Sequence, residues 1–167
     1  MKKLLLILLM IIHGLGVNAQ SPITLDTAPI QGTQIVILPT CNNLLRMLGA
    51  TNIQFAGAMK RYHYQQARAD YPNSFGATGG QKRFIASVTK DKDAITLSLS
   101  ELTVYTSLLE YDIKNHFPDA KLSTNEDGNK AYTFTVKNDK RKHRYTIAPA
   151  LKDEYGDVIC VLHQLPD

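Results

Sequence analysis

The sequence predicts an α+β fold in which a mostly antiparallel sheet of about five strands packs against two or three helices on one face. Apolar residues recur every three or four positions in three segments of the chain, as on the buried face of a helix. In other segments apolar and polar residues alternate, and only short turns separate most of these segments, which favours antiparallel strands. No internal sequence repeat is visible.

The start of the chain has the pattern of an export signal. Two lysines precede an apolar run at residues 4–12, and the small residues Val17 and Ala19 stand where a signal peptidase cleaves. The run is too short to cross a bilayer, which takes about 20 apolar residues. We therefore predict a signal peptide over residues 1–19, export to the periplasm or the cell exterior, and no stable membrane anchor after cleavage.

The rest of the chain is expected to form one domain. Residues 20–34 are small, polar and rich in proline, which predicts an extended lead-in. Residues 35–167 then make up a single α+β domain, long enough to bury a core without disulfides or metals.

Two short helices should open this domain. Residues 34–38 are a strand-like run, after which Thr40 can cap a first helix that ends at Gly49. Thr51 can cap a second helix, which must end before Tyr71 because the next residue is a proline.

The segment after the second helix is predicted to be a loop. Residues 70–81 contain a proline, an asparagine, a serine and three glycines, which are residue types that favour turns. Tyr71 and Phe75 lie in this segment, and their rings could form an aromatic contact surface for a partner.

A hairpin and a long helix follow. Residues 84–89 and 95–99 alternate in polarity on either side of a charged turn at residues 90–93. A helix capped by Ser100 is then expected to end at Phe117, which precedes a proline. Its predicted buried stripe comprises Leu102, Val104, Tyr105, Leu108, Leu109, Ile113 and His116.

Three further strands are predicted, at residues 132–136, 145–147 and 158–162. The last of them is apolar on both faces, which is typical of a central strand.

The densest charge run spans the turn between the first two of these strands. Residues 137–144 carry five lysines or arginines and one aspartate. One interpretation is a solvated hairpin tip whose charges prevent pairing of strand edges. The other is a binding surface in which Arg141, Lys142 and Arg144 contact an acidic protein, an anionic lipid or a polysaccharide of the envelope.

Cys41 and Cys160 allow three interpretations. In an exported protein they could form a disulfide, or they could be two unpaired buried thiols that act as small apolar side chains. Alternatively, Cys41 is a nucleophile whose pKa is lowered by the start of a helix, with His143 or His163 as its base. A helix-borne cysteine before a strand-borne histidine is similar to the order in papain-like hydrolases, although the sequence identifies no residue to orient the histidine.

Composition narrows the range of partners and cofactors. The chain has 19 lysines and arginines and 15 aspartates and glutamates. Removal of the signal peptide takes away Lys2 and Lys3, so the basic excess falls to about two, which is too small for a nucleic-acid partner. The histidine spacing fits no metal site, and no glycine-rich phosphate loop is present. We therefore predict no metal, no cofactor and no nucleic acid.

Two classes of function remain. We expect a soluble, non-enzymatic binding domain, which contacts a protein partner in the manner of an inhibitor or immunity protein, or else an envelope polysaccharide. The alternative is a cysteine hydrolase that cleaves peptide or cell-wall bonds at Cys41.

Overall fold

Three helices and ten strands form the part of the chain that the computed structural model describes, which is residues 21–30, 34–78, 84–99, 102–138, 141–152 and 158–166. The helices are α1 (Cys41–Gly49), α2 (Asn52–Arg61) and α3 (Leu102–His116). The strands are β1 (Thr27–Ile30), β2 (Gln34–Ile37), β3 (Gln65–Arg68), β4 (Tyr71–Thr78), β5 (Phe84–Lys90), β6 (Ala94–Leu99), β7 (Lys121–Thr124), β8 (Lys130–Asn138), β9 (Arg141–Lys152) and β10 (Val158–Gln164). The predicted signal peptide at residues 1–19 and the predicted cap Ser100 lie outside the described residues.

The α+β class and the large antiparallel sheet are confirmed, but the main sheet has eight strands where about five were predicted. Its order is β3-β4-β5-β6-β10-β9-β8-β7, with antiparallel neighbours throughout, and β1 and β2 form a separate pair. The additional strands are β3, β4 and β7. All four residues of β7 and three of the four in β3 are exposed, so these edge strands lack the alternation that marks a half-buried strand.

The predicted loop at residues 70–81 is wrong for its described part, because Tyr71–Thr78 form β4. Phe75 is only 4% exposed, and its ring packs edge-on against that of Phe55, with centroids 5.7 Å apart. Residues 74–77 are all buried, so this strand lacks the alternation that marks a half-buried strand, and its proline and glycine resemble loop residues. Phe75 is therefore a core residue and cannot offer its ring to a partner.

The main sheet consists of two units with the same topology. In each unit a helix is followed by four consecutive strands: α2 with β3–β6, and α3 with β7–β10. The last strands of the two units, β6 and β10, pair at the centre of the sheet. The two units therefore read outward from the centre in the same order, although they share no visible sequence repeat.

The core lies on one face of this sheet. Phe75, Val88, Leu97 and Cys160 stand opposite one another on adjacent strands, and all four are buried. Contacts to this sheet come from α1 at β6, from α2 at β4 and from α3 at β9 and β10. In α3 the stripe is narrower than predicted, because Val104 and Leu108 are 68% and 44% exposed.

Asn43 of α1 and Tyr62, which directly follows α2, hold the segment before β1. The hydroxyl of Tyr62 accepts from the Leu25 N–H at 2.8 Å, and the Asn43 amide donates to the carbonyls of Asp26 and Leu38 at 2.8 and 2.9 Å. The described part of the predicted lead-in is thus extended, with Leu25 buried and Thr27–Ile30 paired to β2.

Candidate binding groove

A surface groove of about 720 Å³ lies between the turn that follows α3 and the hairpin of β8 and β9. We call it the basic groove. It is lined by His116, by residues 117–121 of the turn, by residues 133–137 of β8, and by Lys142 and Arg144 of β9.

Two stacked rings lie at one side of the basic groove: Phe117, which is partly exposed, and Phe134, which is only 4% exposed. The ring of Phe117 lies on that of Phe134, with centroids 4.1 Å apart and 22° between planes, and Tyr145 follows at 5.9 Å from Phe134. Stacking at these distances adds stability beyond the area that it buries. Burial raises the pKa of the Tyr145 hydroxyl above its ordinary value.

The turn after α3 places the Phe117 ring. The backbone N–H of Phe117 donates to the Ile113 carbonyl at 2.8 Å and completes the last turn of the helix. Pro118 cannot continue that ladder, and the Ala120 N–H donates back to the Phe117 carbonyl at 2.9 Å. The chain therefore reverses at this point and enters β7 with the ring directed at β8.

Cationic side chains line the rest of the groove. They are Lys121, Lys137, Lys142 and Arg144, against the single carboxylate of Asp119. Within the described ranges, none of these four cations forms an ion pair. Arg144 instead donates to the Pro166 carbonyl at 3.3 Å.

The strand register brings like charges together. Lys137 stands directly opposite Lys142, and Arg144 lies on the same face of the hairpin, opposite Thr135. Like charges that face each other across two strands are destabilising. The arrangement therefore brings no gain in stability, and an anionic partner would relieve it.

The structure brings together only part of the predicted binding set. Lys142 and Arg144 both line the basic groove. Arg141 is the first residue of β9, opposite Asn138. Tyr71 lies on β4, near the other edge of the sheet, where the guanidinium of Arg68 sits 4.6 Å from the centre of its ring.

Sequence reasoning missed Phe117, Phe134 and Lys121 as groove residues. The sequence pattern indicates Phe117 only as the end of a helix, and Phe134 only as part of the strand at residues 132–136. Pro118 and Lys121 are the signals that the sequence offers near Phe117. Only the fold places them beside the β8–β9 hairpin.

The two predicted partners of a disulfide are free, buried thiols in this structure. Cys41 is the first residue of α1, and its backbone N–H donates to Asp112 Oδ2 on α3 at 2.7 Å. Burial, and then the negative charge of Asp112, raises the pKa of the Cys41 thiol far above its ordinary value. Burial raises the pKa of Cys160 to about 12.

This environment is the opposite of the one that a thiol nucleophile needs. Cys41 is 2% exposed, and the helix start that was expected to lower its pKa is outweighed by desolvation and by Asp112. Asp112 also contacts His116, with 2.9 Å between Oδ1 and Nδ1. The carboxylate thus lies between thiol and imidazole, whereas a hydrolase places the imidazole next to the thiol.

The two histidines proposed as bases lie on opposite faces of the sheet. His143 stands opposite Val136 and shares the face of the buried Ile147, while His163 stands opposite Thr146 on the other face. The Nδ1 atom of His143 is 3.4 Å from the side-chain nitrogen of Gln164. The two histidines cannot serve one common site.

Among the described residues, no three or more His, Cys, Asp or Glu side chains are grouped to hold a metal ion. None of the described helices has the length and apolar character needed to cross a membrane. Comparison of the chain with protein-family models, with curated proteins and with solved structures gave no match.

Proposed function

We propose that this chain is an exported binding domain that attaches to an acidic surface of a protein partner through the basic groove. The observation that carries the proposal is a set of four cations, Lys121, Lys137, Lys142 and Arg144, which form no ion pair with any described residue and lie beside the partly exposed ring of Phe117. Export rests on the signal pattern of residues 1–19.

The two parts of the groove have complementary roles in such a contact. Clustered cations attract an acidic partner over a distance and orient it before contact. The exposed part of the Phe117 ring then contributes free energy through burial, and interface centres are enriched in aromatic residues and arginine. An inhibitor or immunity protein acts in this way, because it binds its target without chemistry of its own.

The environment of Cys41 does not favour the hydrolase alternative. A thiol that is buried and faces a carboxylate is protonated and out of reach of a substrate.

Capture from an envelope extract tests this proposal. The immobilised protein is compared with the variant Lys142→Glu/Arg144→Glu and with the control Lys60→Glu/Lys92→Glu. Lys60 and Lys92 are exposed on α2 and on the β5–β6 turn, so the control has the same net charge. We expect a retained protein whose affinity falls about tenfold or more in the groove variant and stays unchanged in the control.

The salt dependence and the chemical identity of the retained molecule complete the test. Raising the ionic strength from about 0.1 M to about 0.5 M should release the retained protein, since it shortens the screening length. Equal retention by wild type and groove variant, with unchanged salt dependence, would contradict the proposal. A retained polysaccharide in place of a protein would also contradict it.

A further inference from the structure

We infer that the partner binds by strand addition: an extended acidic segment pairs with the free edge of β8 at residues 134–138 and becomes a further strand beside it. This inference rests on the proposed binding function and names how the partner is recognised.

The edge is open because β7 is much shorter than β8. β7 pairs only with the first part of β8, from Thr124 opposite Lys130 to Lys121 opposite Thr133. On its other side β8 is paired with β9 as far as Asn138. Residues 134–138 therefore have a strand neighbour on one side only, among the described residues.

An open strand edge has unpaired backbone groups. In an antiparallel strand, alternate residues direct their N–H and C=O groups away from one neighbour and toward the other side. Such groups need partners, which are water or another chain. Strand addition to an exposed edge is a common way to bind an extended peptide.

The first unit of the sheet shows how the corresponding edge can be closed. There β3 follows β4 as far as Gly76, which stands opposite Gln65, and β2 also contacts β4. In the second unit the pairing stops at Thr133, and the basic groove occupies the place beside the rest of β8. The same topology thus leaves room for one more strand at this edge.

The side chains around the edge specify an acidic occupant. Lys137 lies on the face of the hairpin that also carries Lys142 and Arg144, while Phe134 and Val136 lie on the other face. Successive side chains of an added strand alternate between these faces. The segment should therefore alternate acidic residues, toward the cations, with apolar or aromatic ones, toward the partly exposed side chains of Phe117 and Val136.

The same charges argue against a second copy of this chain as the occupant. Two β8 edges that paired with each other would bring Lys137, Lys142 and Arg144 of both copies together. Cations at strand edges are a known means of preventing such pairing. An acidic partner turns that repulsion into attraction.

Synthetic peptides test the inference on the intact protein. The probe is a peptide of about eight residues in which glutamate alternates with valine and phenylalanine, long enough to cover the open edge. Two analogues are N-methylated at either the odd or the even amides, which removes the hydrogen-bond donors from one edge of the peptide and leaves its charge unchanged. Affinity is measured by fluorescence anisotropy, and amide exchange in β8 by NMR.

Strand addition predicts that only one edge of the peptide matters. The parent peptide and one analogue should bind alike, the other analogue should bind at least about tenfold more weakly, and alternate amides of residues 134–138 should become protected from exchange. A peptide with lysine in place of glutamate should not bind.

Several results would overturn the inference. Equal binding of both analogues would mean that side chains alone are recognised, and the proposed function would stand. Failure of the peptide to bind, or to compete with a captured partner, would also rule out strand addition. The proposed binding function would still stand. Self-association through β8 would assign the edge to a second copy. The proposed function is tested separately, and it fails when the groove variant captures its partner as well as the wild type does.

Discussion

The ring of Phe117 stacks on the ring of Phe134 with 4.1 Å between centroids, and this contact joins the end of α3 to β8. It fixes the turn that forms one wall of the basic groove. The same contact thus serves both the fold and the proposed binding site.

Replacing Phe117 with alanine should lower the free energy of unfolding by about 2 kcal/mol, because the ring is partly buried and its stacking is lost. Urea denaturation measures the change. Tyr111→Ala is the control, since Tyr111 is 67% exposed on the same helix and should cost less than about 0.5 kcal/mol. Equal losses in the two variants would show that the stack does not stabilise the fold.

Replacing Asp112 with alanine should remove the hydrogen bond that joins the start of α1 to α3. Asp112 accepts from the Cys41 N–H at the start of α1, and hydrogen bonds to charged groups contribute about 1.5–3 kcal/mol. We expect a loss of about 2 kcal/mol in the free energy of unfolding. Asp127→Ala, at an exposed turn, should change stability little. A neutral result for Asp112→Ala would mean that Thr40 alone caps α1 sufficiently.

The two cysteines should be unreactive in the folded protein. Both are buried, and burial raises the pKa of each thiol. With an alkylating reagent and no reductant, intact mass should show no rapid labelling of the native protein and two labels after unfolding. The absence of labels until a reductant is added would show a disulfide, which is one of the three interpretations of the sequence. Rapid labelling of Cys41 alone would revive the hydrolase.

Stability should fall at alkaline pH for the same reason. The folded-state pKa of each thiol lies above its ordinary value of 9.0, so the folded protein holds these protons after the unfolded chain has lost them. The stabilisation is complete below pH 9 and declines as the pH rises toward the folded-state values. In that range the free energy of unfolding falls by about 1.4 kcal/mol per pH unit for each thiol.

Urea denaturation under reducing conditions checks this pH dependence. Between about pH 9.5 and about pH 10.5, the variant Cys41→Ala/Cys160→Ala should lose stability less steeply than the wild type. Parallel curves for the two proteins would contradict the burial of the thiols.

Sequence patterns predict the elements that have one buried and one exposed side. Thr40 and Thr51 cap α1 and α2 as expected, and the strands with clear alternation, such as Ile95–Leu97–Leu99, are in place. Exposed edge strands have no such alternation, and Pro72 and Gly76 in β4 resemble loop residues. The pattern therefore underestimates the sheet.

The groove was only half predictable for a related reason. The charge of Lys142 and Arg144 is visible in the sequence, because it is local. The position of Phe117 beside Phe134 depends on the path of the chain from α3 into β7, which no short pattern contains. Likewise, Asp112 reaches Cys41 across 71 positions.

The most direct test of the central claim is an NMR map of the amides that respond when the captured partner is added to the ¹⁵N-labelled protein. We predict that the shifted amides cluster at residues 116–121, 133–137 and 142–144, and that the Lys142→Glu/Arg144→Glu variant shows no shifts at the same concentration. Shifts confined to the exposed side of α3 at Val104, Leu108 and Tyr111, or to β3 and β4, would contradict the basic groove as the binding site.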